Sequence, residues 1–473
     1  MKTRFTAAGS LRRVRIAPLL AALVLLGLPQ AAHAATFTVT KTTDSIDGSC
    51  DADCSLREAV IAANEAAGTD TIVIPPGHYL LSIPGTDENA SADGDLDITG
   101  DSIVTGAGAA ATIIDANGEV TDSRALHILT GTTVTITGVT VTGGNELGDA
   151  YPNAGGGIFI NEATMFTLTD SAVTGNRAEY WSGGLDIEGP SLLQNVTVSN
   201  NVAGRGAGGA EVETSGVTMV NVTVSGNRAN EEGGGLALND PGTTLNNVTI
   251  VGNVADADNA GGEDTGGGLY MADDTIIRNS IVSGNSVGGA GAEPDCTDEN
   301  NYLTSLGSNV VQSPGSCAFN GPGDKPGVDP KIGPLADNGG FTQTHALLKG
   351  SPAIGAADPA TAAPTDQRGL TRNDPDIGAY ERVLCARVPV NRIGTGGKDR
   401  LVGTKGPDGM LGFAGKDTLI GKGGKDGLCG GPGKDLLKGG GGKDRLKGQG
   451  GKDVCIGGPG KDGATTCERE KTI

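Results

Sequence analysis

An asparagine that returns about every 26 residues in the middle of the chain constrains its fold more than any other feature. Strings such as "NVTVSGNRA" align on it, and glycine-opened apolar strings such as "GGGLAL" lie between them. Apolar and polar residues alternate in these strings without a helical period. The aligned residues are Asn176, Asn201, Asn227, Asn253 and Asn285. Because one such unit cannot bury its inward side chains alone, the repeat predicts a parallel β-helix with two or three short strands per rung.

A second set of asparagines recurs at the start of the "NVTV"-like strings. Asparagine tolerates left-handed backbone, and its amide can hydrogen-bond to the rungs above and below. All of the set except Asn279 also match the N-x-T glycosylation sequon. The repetition favours a stacked ladder over glycan attachment for Asn195, Asn221, Asn247 and Asn279.

The open first rung of a β-helix needs a cap, because exposed strand edges pair with other chains. The string "CSLREAVIAANEAAG" offers one. Ser55 and Glu58 have capping-box spacing, and the alanine-rich run predicts a helix that extends to about Ala66. We expect this helix to lie across the open end of the coil.

The first 34 residues have the features of a secretory leader. Basic residues precede the apolar run "IAPLLAALVLLGL", and "AHA" offers a small-residue cleavage site. The run is short for a membrane span, and no later stretch is apolar enough to form one. Arg12–Arg13 raises the twin-arginine route as an alternative to the Sec route. We expect a protein that is secreted, extracellular or bound to the cell surface.

All eight cysteines lie in the exported part of the chain, where disulfides are stable. Cys50 and Cys54 are close enough to pair locally, and Cys296 with Cys317 brackets a loop-rich segment. Free buried thiols are the alternative. Three pairings are open for Cys385, Cys429, Cys455 and Cys467.

Charge divides the chain into two parts. The net charge is −21, yet residues 391–473 carry 16 basic and 10 acidic residues. The acidic part, residues 35–390, argues against a nucleic-acid partner. We expect a monomer that does not bind nucleic acid.

A shorter period takes over near residue 390. From Gly394 the chain divides into nine-residue units, with glycine at the fourth position and aspartate at the sixth in all eight. The eighth position is a small or large apolar residue in every unit. The aspartates are Asp399, Asp408, Asp417, Asp426, Asp435, Asp444, Asp453 and Asp462.

This pattern resembles the GGxGxDxUx repeat of RTX, or haemolysin-type, β-rolls. The resemblance implies that two units make one turn, that the eighth residue points inward, and that the aspartates hold several Ca²⁺ ions. Alternate units would share one edge, which would carry Asp399, Asp417, Asp435 and Asp453. The other edge would carry the remaining four aspartates, with room for at most about six ions in total.

Lysine at the fifth position departs from that repeat in seven of the eight units, with Pro407 as the exception. Like charges about 5 Å apart repel, and they would lower the local affinity for a cation. A row of lysines could instead bind an anionic polymer such as a wall polysaccharide. Three interpretations therefore stay open: a calcium roll, a polymer-binding surface that is compatible with calcium binding, and a purely structural glycine coil whose lysines are solvated.

Two longer motifs bracket the repeats. "CSLREA" at 54–59 resembles the N-terminal signature of secreted bacterial CSLREA-domain proteins. The far end resembles the closing segment of choice-of-anchor Q proteins, because it contains "PLADNGGFTQTHALLKGSPAIGAAD", "DQRGLTR" and "DIGAYE" in that order. The resemblance covers residues 36–382 and implies a right-handed, pectate-lyase-like parallel β-helix with a variable attachment module after it. We expect an all-β protein made of a leader 1–34, a cap 35–68, a β-helix 69–320, a closing segment 321–390 and a β-roll 391–473.

Parallel β-helices often carry polysaccharide lyases and hydrolases, which use clustered acids. The string "DGDLDITGD" predicts either a metal cluster or, more commonly, a solvated turn at Asp93, Asp95, Asp97 and Asp101. A second group of acids alternates along two strands that lie about one rung apart: Asp186, Glu188, Glu211 and Glu213. This pattern predicts either a catalytic groove or a soluble acidic wall.

Two functions are consistent with these residues. The first is a non-catalytic extracellular β-helix with a calcium-binding tail, which acts in adhesion or binds extracellular polysaccharide. The second is a polysaccharide lyase or glycoside hydrolase that uses the acidic wall. We favour the first, because His78, His127 and His345 have no adjacent nucleophile.

Overall fold

The structure is a computed structural model that describes residues 34–86, 88–147, 154–259, 266–288 and 294–471. The predicted leader, residues 1–34, lies outside the described residues except for Ala34. Within the described ranges, no helix is both long enough and apolar enough to cross a membrane.

The body of the molecule is a coil of parallel strands in which each strand pairs with its equivalent in the next rung. Sheet A carries the longest of these strands, because its residues alternate strictly between core and solvent. It consists of Thr36–Thr38, Asp70–Ile74, Ser102–Gly106, Thr133–Thr137, Met165–Thr169, Ser191–Gln194, Thr218–Val220, Thr243–Asn246, Thr275–Arg278 and Leu303–Gly307.

Sheet B follows sheet A around the rung, after a turn at the second set of asparagines. Its strands are Gly77–Leu80, Thr112–Asp115, Thr140–Thr142, Ala172–Thr174, Thr197–Ser199, Thr223–Ser225, Thr249–Val251, Ile281–Ser283, Val310–Val311 and Lys325–Pro326.

Sheets C and D complete the cross-section of the coil. Sheet C consists of Leu96–Ile98, Leu126–Ile128, Ile158–Ile160, Leu185–Ile187, Ala210–Val212, Leu236–Leu238, Leu269–Met271 and Cys296–Asp298. Sheet D consists of the two-residue strands Asn145–Glu146, Arg177–Ala178, Val202–Ala203, Arg228–Ala229, Val254–Ala255 and Ser286–Val287. A central rung therefore has four strands, one more than the sequence predicted, because a short strand follows each aligned asparagine.

Inward side chains of like position stack above one another and form the predicted apolar ladders. In sheet C, Leu185, Ala210, Leu236 and Leu269 lie in register and are fully buried. Each rung buries apolar surface only against its neighbours, so burial is shared along the whole coil.

The aligned asparagines form a continuous buried ladder, as predicted. The amide Nδ2 of Asn201 donates to Oδ1 of Asn227 at 3.0 Å, and Asn227 repeats this contact to Asn253 at 2.9 Å. The same Oδ1 atoms also accept the backbone N–H one rung earlier. The ladder ends at Asp295, whose Oδ1 accepts from Asn285 at 2.9 Å. An aspartate suits this last position because it accepts two hydrogen bonds and needs no further acceptor.

The second set of asparagines has the expected left-handed backbone but does not form the expected continuous ladder. The side chains of Asn221, Asn247 and Asn279 bind the closing segment instead. Asn221 Nδ2 donates to the Thr365 carbonyl at 2.9 Å, and Asn247 Oδ1 accepts from the Ala363 N–H at 2.9 Å. Within the set, one hydrogen bond links neighbouring rungs, because Asn221 Nδ2 donates to Asn195 Oδ1 at 3.2 Å. Because these side chains are buried against protein, the sequons are not available for glycan attachment in the folded chain.

The N-terminal helix α1, Leu56–Glu65, has the predicted capping box between Ser55 and Glu58, and Ala66 is its C-cap. Its apolar face joins the main core. Asn64 ties the helix to the first strand of sheet C, because its side chain bonds the Asp97 carbonyl at 2.7 Å and the Thr99 N–H at 2.9 Å. A second helix, α2, covers Gly118–Thr121.

Arg57 of α1 holds the cap to the loop before sheet C. The guanidinium is fully buried and pairs with Asp44 at 2.8 Å. It also donates to the carbonyls of Ser91, Asp93, Gly94 and Asp95. All its donors therefore find acceptors, which is what a buried charge requires.

The closing segment packs along sheet B and includes the antiparallel pair Ile332–Ala336 and Thr344–Leu347. Gln367 is buried and bridges two rungs, since it donates to Thr197 Oγ1 at 2.9 Å and accepts from Thr223 Oγ1 at 2.6 Å. Arg368 pairs with Asp366 at 2.9 Å and stacks on the Tyr380 ring. The two Gln367 contacts connect residues that are more than 140 positions apart.

The C-terminal repeats form two facing parallel sheets, the β-roll that the nine-residue period predicted. One sheet begins with the hairpin Leu384–Cys385 and Val388–Ile393 and continues through Gly409–Leu411, Gly427–Gly433, Arg445–Gly451 and Gly463–Thr465. The other consists of Arg400–Val402, Thr418–Gly424, Leu436–Gly442, Val454–Ile456 and Arg469–Lys471. Paired strands are 18 residues apart, so two units make one turn, and the eighth residues form the core.

Four disulfides are present among the described residues. The predicted pairs Cys50–Cys54 and Cys296–Cys317 are confirmed. The pairing that the sequence left open is Cys385–Cys429 and Cys455–Cys467. Cys385–Cys429 joins the hairpin at the base of the roll to its second turn. The residue bounds assigned from sequence to the five parts stay predictions.

Candidate metal centre

The aspartates of the roll lie in two columns, one along each edge. In each column, Oδ1 of an aspartate accepts the backbone N–H of the aspartate one turn earlier, for example Asp408 to Asp426 and Asp426 to Asp444, both at 2.9 Å. Successive aspartates therefore alternate between the two edges, as the nine-residue spacing predicted. These bonds aim every carboxylate into the roll, although it is a charged group.

The second oxygen of most of these carboxylates is buried without a hydrogen-bond partner. In the first two units, Thr395 and Thr404 supply donors to Oδ2 of Asp399 and Asp408. No such donor is present in the described residues for Oδ2 of Asp417, Asp426, Asp435, Asp444, Asp453 and Asp462. A buried carboxylate oxygen without a partner is costly, so each of these atoms requires a cation or a proton.

The first glycine of each unit provides the space around that oxygen. A Cβ on Gly421 would stand 2.1 Å from Asp426 Oδ2 and 2.4 Å from the Gly439 carbonyl oxygen. The same pair of oxygens surrounds Gly430, where the neighbours are Asp435 Oδ2 and a carbonyl one turn later. Carboxylate and backbone carbonyl oxygens thus converge on a space that any side chain would fill. These are the oxygen ligands that Ca²⁺ takes, so the residues present fit this ion.

Burial raises the pKa of the roll carboxyls. For Asp426 desolvation raises the pKa to about 6, and the charges of Asp444 and Asp408 add to the effect. Desolvation also raises the pKa of Asp417, Asp435 and Asp444. A nearby cation would reverse this shift, because it favours the charged form.

The lysines at the fifth position do not enter these columns. Each is exposed, whereas in the five units from Lys416 to Lys452 the aspartate that follows the lysine is buried, as with Lys425 and Asp426. Successive residues of an extended chain point to opposite sides, and this separates the two charges. The expected conflict between lysine and calcium is therefore reduced by geometry. The exposed lysines are Lys398, Lys416, Lys425, Lys434, Lys443, Lys452 and Lys461.

The string around Asp97 is neither a solvated turn nor a cluster of four acids. Asp95 and Asp97 are buried, and His127 bridges Asp97 at 3.1 Å and Asn161 at 3.0 Å. Arg124 lies 3.2 Å from Asp95. Desolvation raises the pKa of Asp95 to about 7, although the Arg124 charge opposes it. Each group has partners, so the structural interpretation of His127 agrees with its contacts.

The other two histidines also have structural contacts. His78 bonds Asp115 at 2.8 Å at the surface. His345 is buried between Ser225 Oγ and the Gly333 carbonyl, and burial lowers its pKa.

Four acids stand together on the outer face of sheet C, and we call Asp186, Glu188, Glu211 and Glu213 the acidic quartet. Asp186 lies in register with Glu211, and each partner follows two residues later. The expectation of a soluble wall is wrong for Asp186, Glu188 and Glu211, which are buried. Desolvation, with repulsion from Glu213, raises the pKa of Glu211 to about 7. Desolvation and the other quartet charges raise the pKa of Asp186 well above its ordinary value.

Two family models match the chain. Residues 101–321 match the right handed beta helix region, and residues 393–428 and 430–463 match the RTX calcium-binding nonapeptide repeat. This is a right-handed β-helix protein with RTX repeats. The resemblance of its ends to CSLREA-domain and choice-of-anchor Q proteins stays a prediction.

Two solved structures resemble this β-helix protein. Pectate lyase Pel9A has 14% identity and a TM-score of 0.45, with 75% of this chain and 98% of that chain covered. The PL6 family alginate lyase AlyGC has 11% identity and a TM-score of 0.23, with 91% and 71% covered. No curated protein matches the chain.

The sequence prediction missed the first-position glycines as part of the metal centre. Their signal was present, because glycine occupies the first position of every unit from Gly394 to Gly457, whereas the second position varies. A backbone position that tolerates no Cβ often marks close approach to a ligand.

Proposed function

We propose that this protein is a secreted, non-catalytic β-helix whose RTX roll binds several Ca²⁺ ions and which attaches to anionic extracellular polysaccharide. The observation that carries the proposal is the double column of buried Oδ2 atoms without hydrogen-bond partners. It supports a roll that is incomplete as protein alone and is completed by cations.

The aspartates of both columns would hold the ions, together with the carbonyl oxygens beside the first-position glycines. Bound calcium would supply positive charge to carboxylates that burial otherwise destabilises. Because the sites exist only when neighbouring turns are stacked, binding free energy is also folding free energy for the roll.

The disulfides support an extracellular setting for the protein. Disulfides persist in oxidising compartments and are rare where thiols are kept reduced. The leader predicted at residues 1–34 is consistent with that setting. Outside the cell the roll would find calcium at the concentrations that extracellular modules use, on the order of 10⁻⁴ to 10⁻³ M.

The outer surface of the roll supports the anionic ligand. The exposed lysines form rows along both edges. A groove of about 610 Å³ between the hairpin turn and the last turns of the roll is lined by Arg387, Arg445 and Lys447 around an apolar floor. Cations beside a shallow apolar surface suit a polymer with carboxylate groups on sugar rings.

Calcium binding by the full chain from residue 35 tests the first half of the proposal. We expect calorimetry to show several Ca²⁺ ions bound and much weaker binding of Mg²⁺, which demands octahedral geometry. Asp435→Asn should weaken the roll sites by at least about tenfold, because it removes a ligand in mid-column. Lys434→Gln, one residue away and exposed, is the matched control and should leave them unchanged. Equal effects of the two variants would contradict the assignment.

Polysaccharide binding tests the second half. We expect the calcium-loaded chain to bind immobilised polygalacturonate in low salt and to be released by high salt, since surface charge interactions are screened. The double variant Arg445→Gln and Lys447→Gln should weaken binding roughly 3- to 30-fold. Lys349→Gln, an exposed lysine on the closing segment, serves as control. Binding that is insensitive to salt and to both variants would rule out the basic surface.

A second candidate function, a polysaccharide lyase or glycoside hydrolase, is supported by the pKa of Glu211, which burial raises to about 7. A carboxyl that is protonated near neutral pH can act as a general acid. Turnover of a uronate polymer, lost in Glu211→Gln, would select this function. Binding of the same polymer without turnover would select the non-catalytic one.

A further inference from the structure

The acidic quartet on sheet C lies in the body of the molecule, far along the chain from the roll. Its members come from two neighbouring strands, Leu185–Ile187 and Ala210–Val212, and from the residue that follows each strand. The inward neighbours, such as Ile187, belong to the core, so the quartet faces outward. Loops that precede each strand cover it, which is why Asp186 is only 3% exposed.

The oxygens of the quartet converge. One carboxylate oxygen of each of Asp186, Glu188 and Glu213 lies within 4.8 Å of the other two. Asp186 Oδ1 is buried and has no hydrogen-bond partner among the described residues. The charges that act most strongly on Asp186 are those of Glu211, Glu213 and Glu188, all of the same sign. Like charges so close, with one oxygen unpartnered, call for a cation or a proton between them.

We propose that the acidic quartet is a divalent-cation site selective for Ca²⁺, separate from the RTX roll. Three oxygens within 4.8 Å of one another can all reach one calcium ion, which binds oxygens at about 2.3–2.6 Å in a flexible geometry. Magnesium demands near-octahedral geometry and keeps several of its waters, so a set of three side-chain carboxylates favours calcium. Asp186, Glu188 and Glu213 are the ligands.

Glu211 is positioned beside the site by its own contacts. Ser182 Oγ donates to Glu211 Oε2 and Asn239 Nδ2 donates to Oε1, both at 3.0 Å. These bonds hold the carboxylate in register above Asp186. Glu211 is thus held beside the site by neutral donors and is not itself one of the ligands.

The only tryptophan of the chain reports on this site. The Trp181 ring and the Glu211 carboxylate both approach Gly206. A Cβ built on this glycine would stand 3.3 Å from Trp181 Cε3 and 2.3 Å from Glu211 Oε2, so the ring lies close to the quartet. The roll contains neither tryptophan nor tyrosine. Luminescence of Tb³⁺ that is excited through Trp181 therefore reports an ion at the quartet and not one in the roll.

The test uses the full chain from residue 35, stripped of metal and titrated with Tb³⁺. We expect Trp-sensitised emission that Ca²⁺ displaces and Mg²⁺ at the same concentration does not. Asp186→Asn and Glu213→Gln should each lower the emission at least tenfold. Glu162→Gln, an exposed acid near the end of a sheet C strand, and Asp435→Asn in the roll should leave it unchanged.

A second readout separates binding from folding. Ca²⁺ should raise the unfolding temperature reported by Trp181 fluorescence in the wild type, but not in Asp186→Asn, because only the wild type binds the ion in its folded state. Absence of displaceable emission in the wild type would overturn the proposal. So would emission that persists in both quartet variants, or an equal calcium shift in wild type and Asp186→Asn.

Discussion

In EDTA at neutral pH, the RTX roll is expected to lose the amide protection of its strands while the β-helix keeps its own. The reason is the set of buried Oδ2 atoms, which have no partner in the described residues. Without calcium, several carboxylates must stay charged in a dry environment, or the roll must open. Hydrogen exchange with mass spectrometry resolves the two parts, because their peptides are distinct.

Acidification is expected to restore the protection without calcium. The folded-state pKa of Asp426 is raised from 3.8 to about 6, so the folded roll holds a proton that the unfolded chain releases. The stability gained from this proton is fully present below about pH 4 and is lost as the pH rises through about 6. For Asp426 alone, the full pKa shift corresponds to about 3 kcal/mol of unfolding free energy. Asp417, Asp435 and Asp444 shift in the same direction.

The measurement compares calcium and EDTA at about pH 7 and about pH 5, after correction for intrinsic exchange rates. Peptides from the body, such as the one that contains Leu236–Leu238, are the internal control. Mg²⁺ should not replace Ca²⁺. Equal protection of the roll in calcium and in EDTA at neutral pH would mean that the aspartate columns need no cation.

Replacing Arg57 by methionine is expected to destabilise the body by about 3–5 kcal/mol, the usual cost of removing one partner of a buried ion pair. The change leaves the Asp44 carboxylate without its cation and four carbonyls of the 91–95 segment without their donor. Methionine fills similar volume, so the loss reflects polar contacts and not a cavity.

Urea unfolding followed through Trp181 measures this loss as a lower midpoint. The matched control is Arg205→Met, because Arg205 pairs with Glu231 at the surface, where both side chains are about half exposed. Exposed pairs of this kind contribute about 0–1 kcal/mol. Similar midpoints for the two variants would show that Arg57 does not hold the cap.

Local repetition made much of this architecture predictable. A rung must match the rung above it, so the spacing from Asn201 to Asn227 already implies that the two stack. The nine-residue spacing likewise implies two edges of aspartates, and the capping box at Ser55 marks the start of α1. Cys50–Cys54 follows from proximity in the chain.

Contacts between distant segments were not predictable in this way. The role of Asn247 depends on Ala363, which lies 116 residues later, and no period connects them. The same holds for Gln367 and Thr197, and for the disulfide between Cys385 and Cys429. The sequence marked Asn247 as a turn residue but did not identify its partner.

By itself, the sequence determined which residues recur and therefore which side chains stack: the asparagine ladder, the apolar core and the two columns of aspartates. Only the tertiary structure decided what surrounds them. Burial is a property of several segments together, and this is why Asp186 in the body and Asp426 in the roll each have one buried oxygen without a hydrogen-bond partner among the described residues. The same periodicity would serve a solvated acidic wall or a dry cation site. The loops and carbonyls that cover each carboxylate make the difference, because they remove the water that would otherwise stabilise its charge.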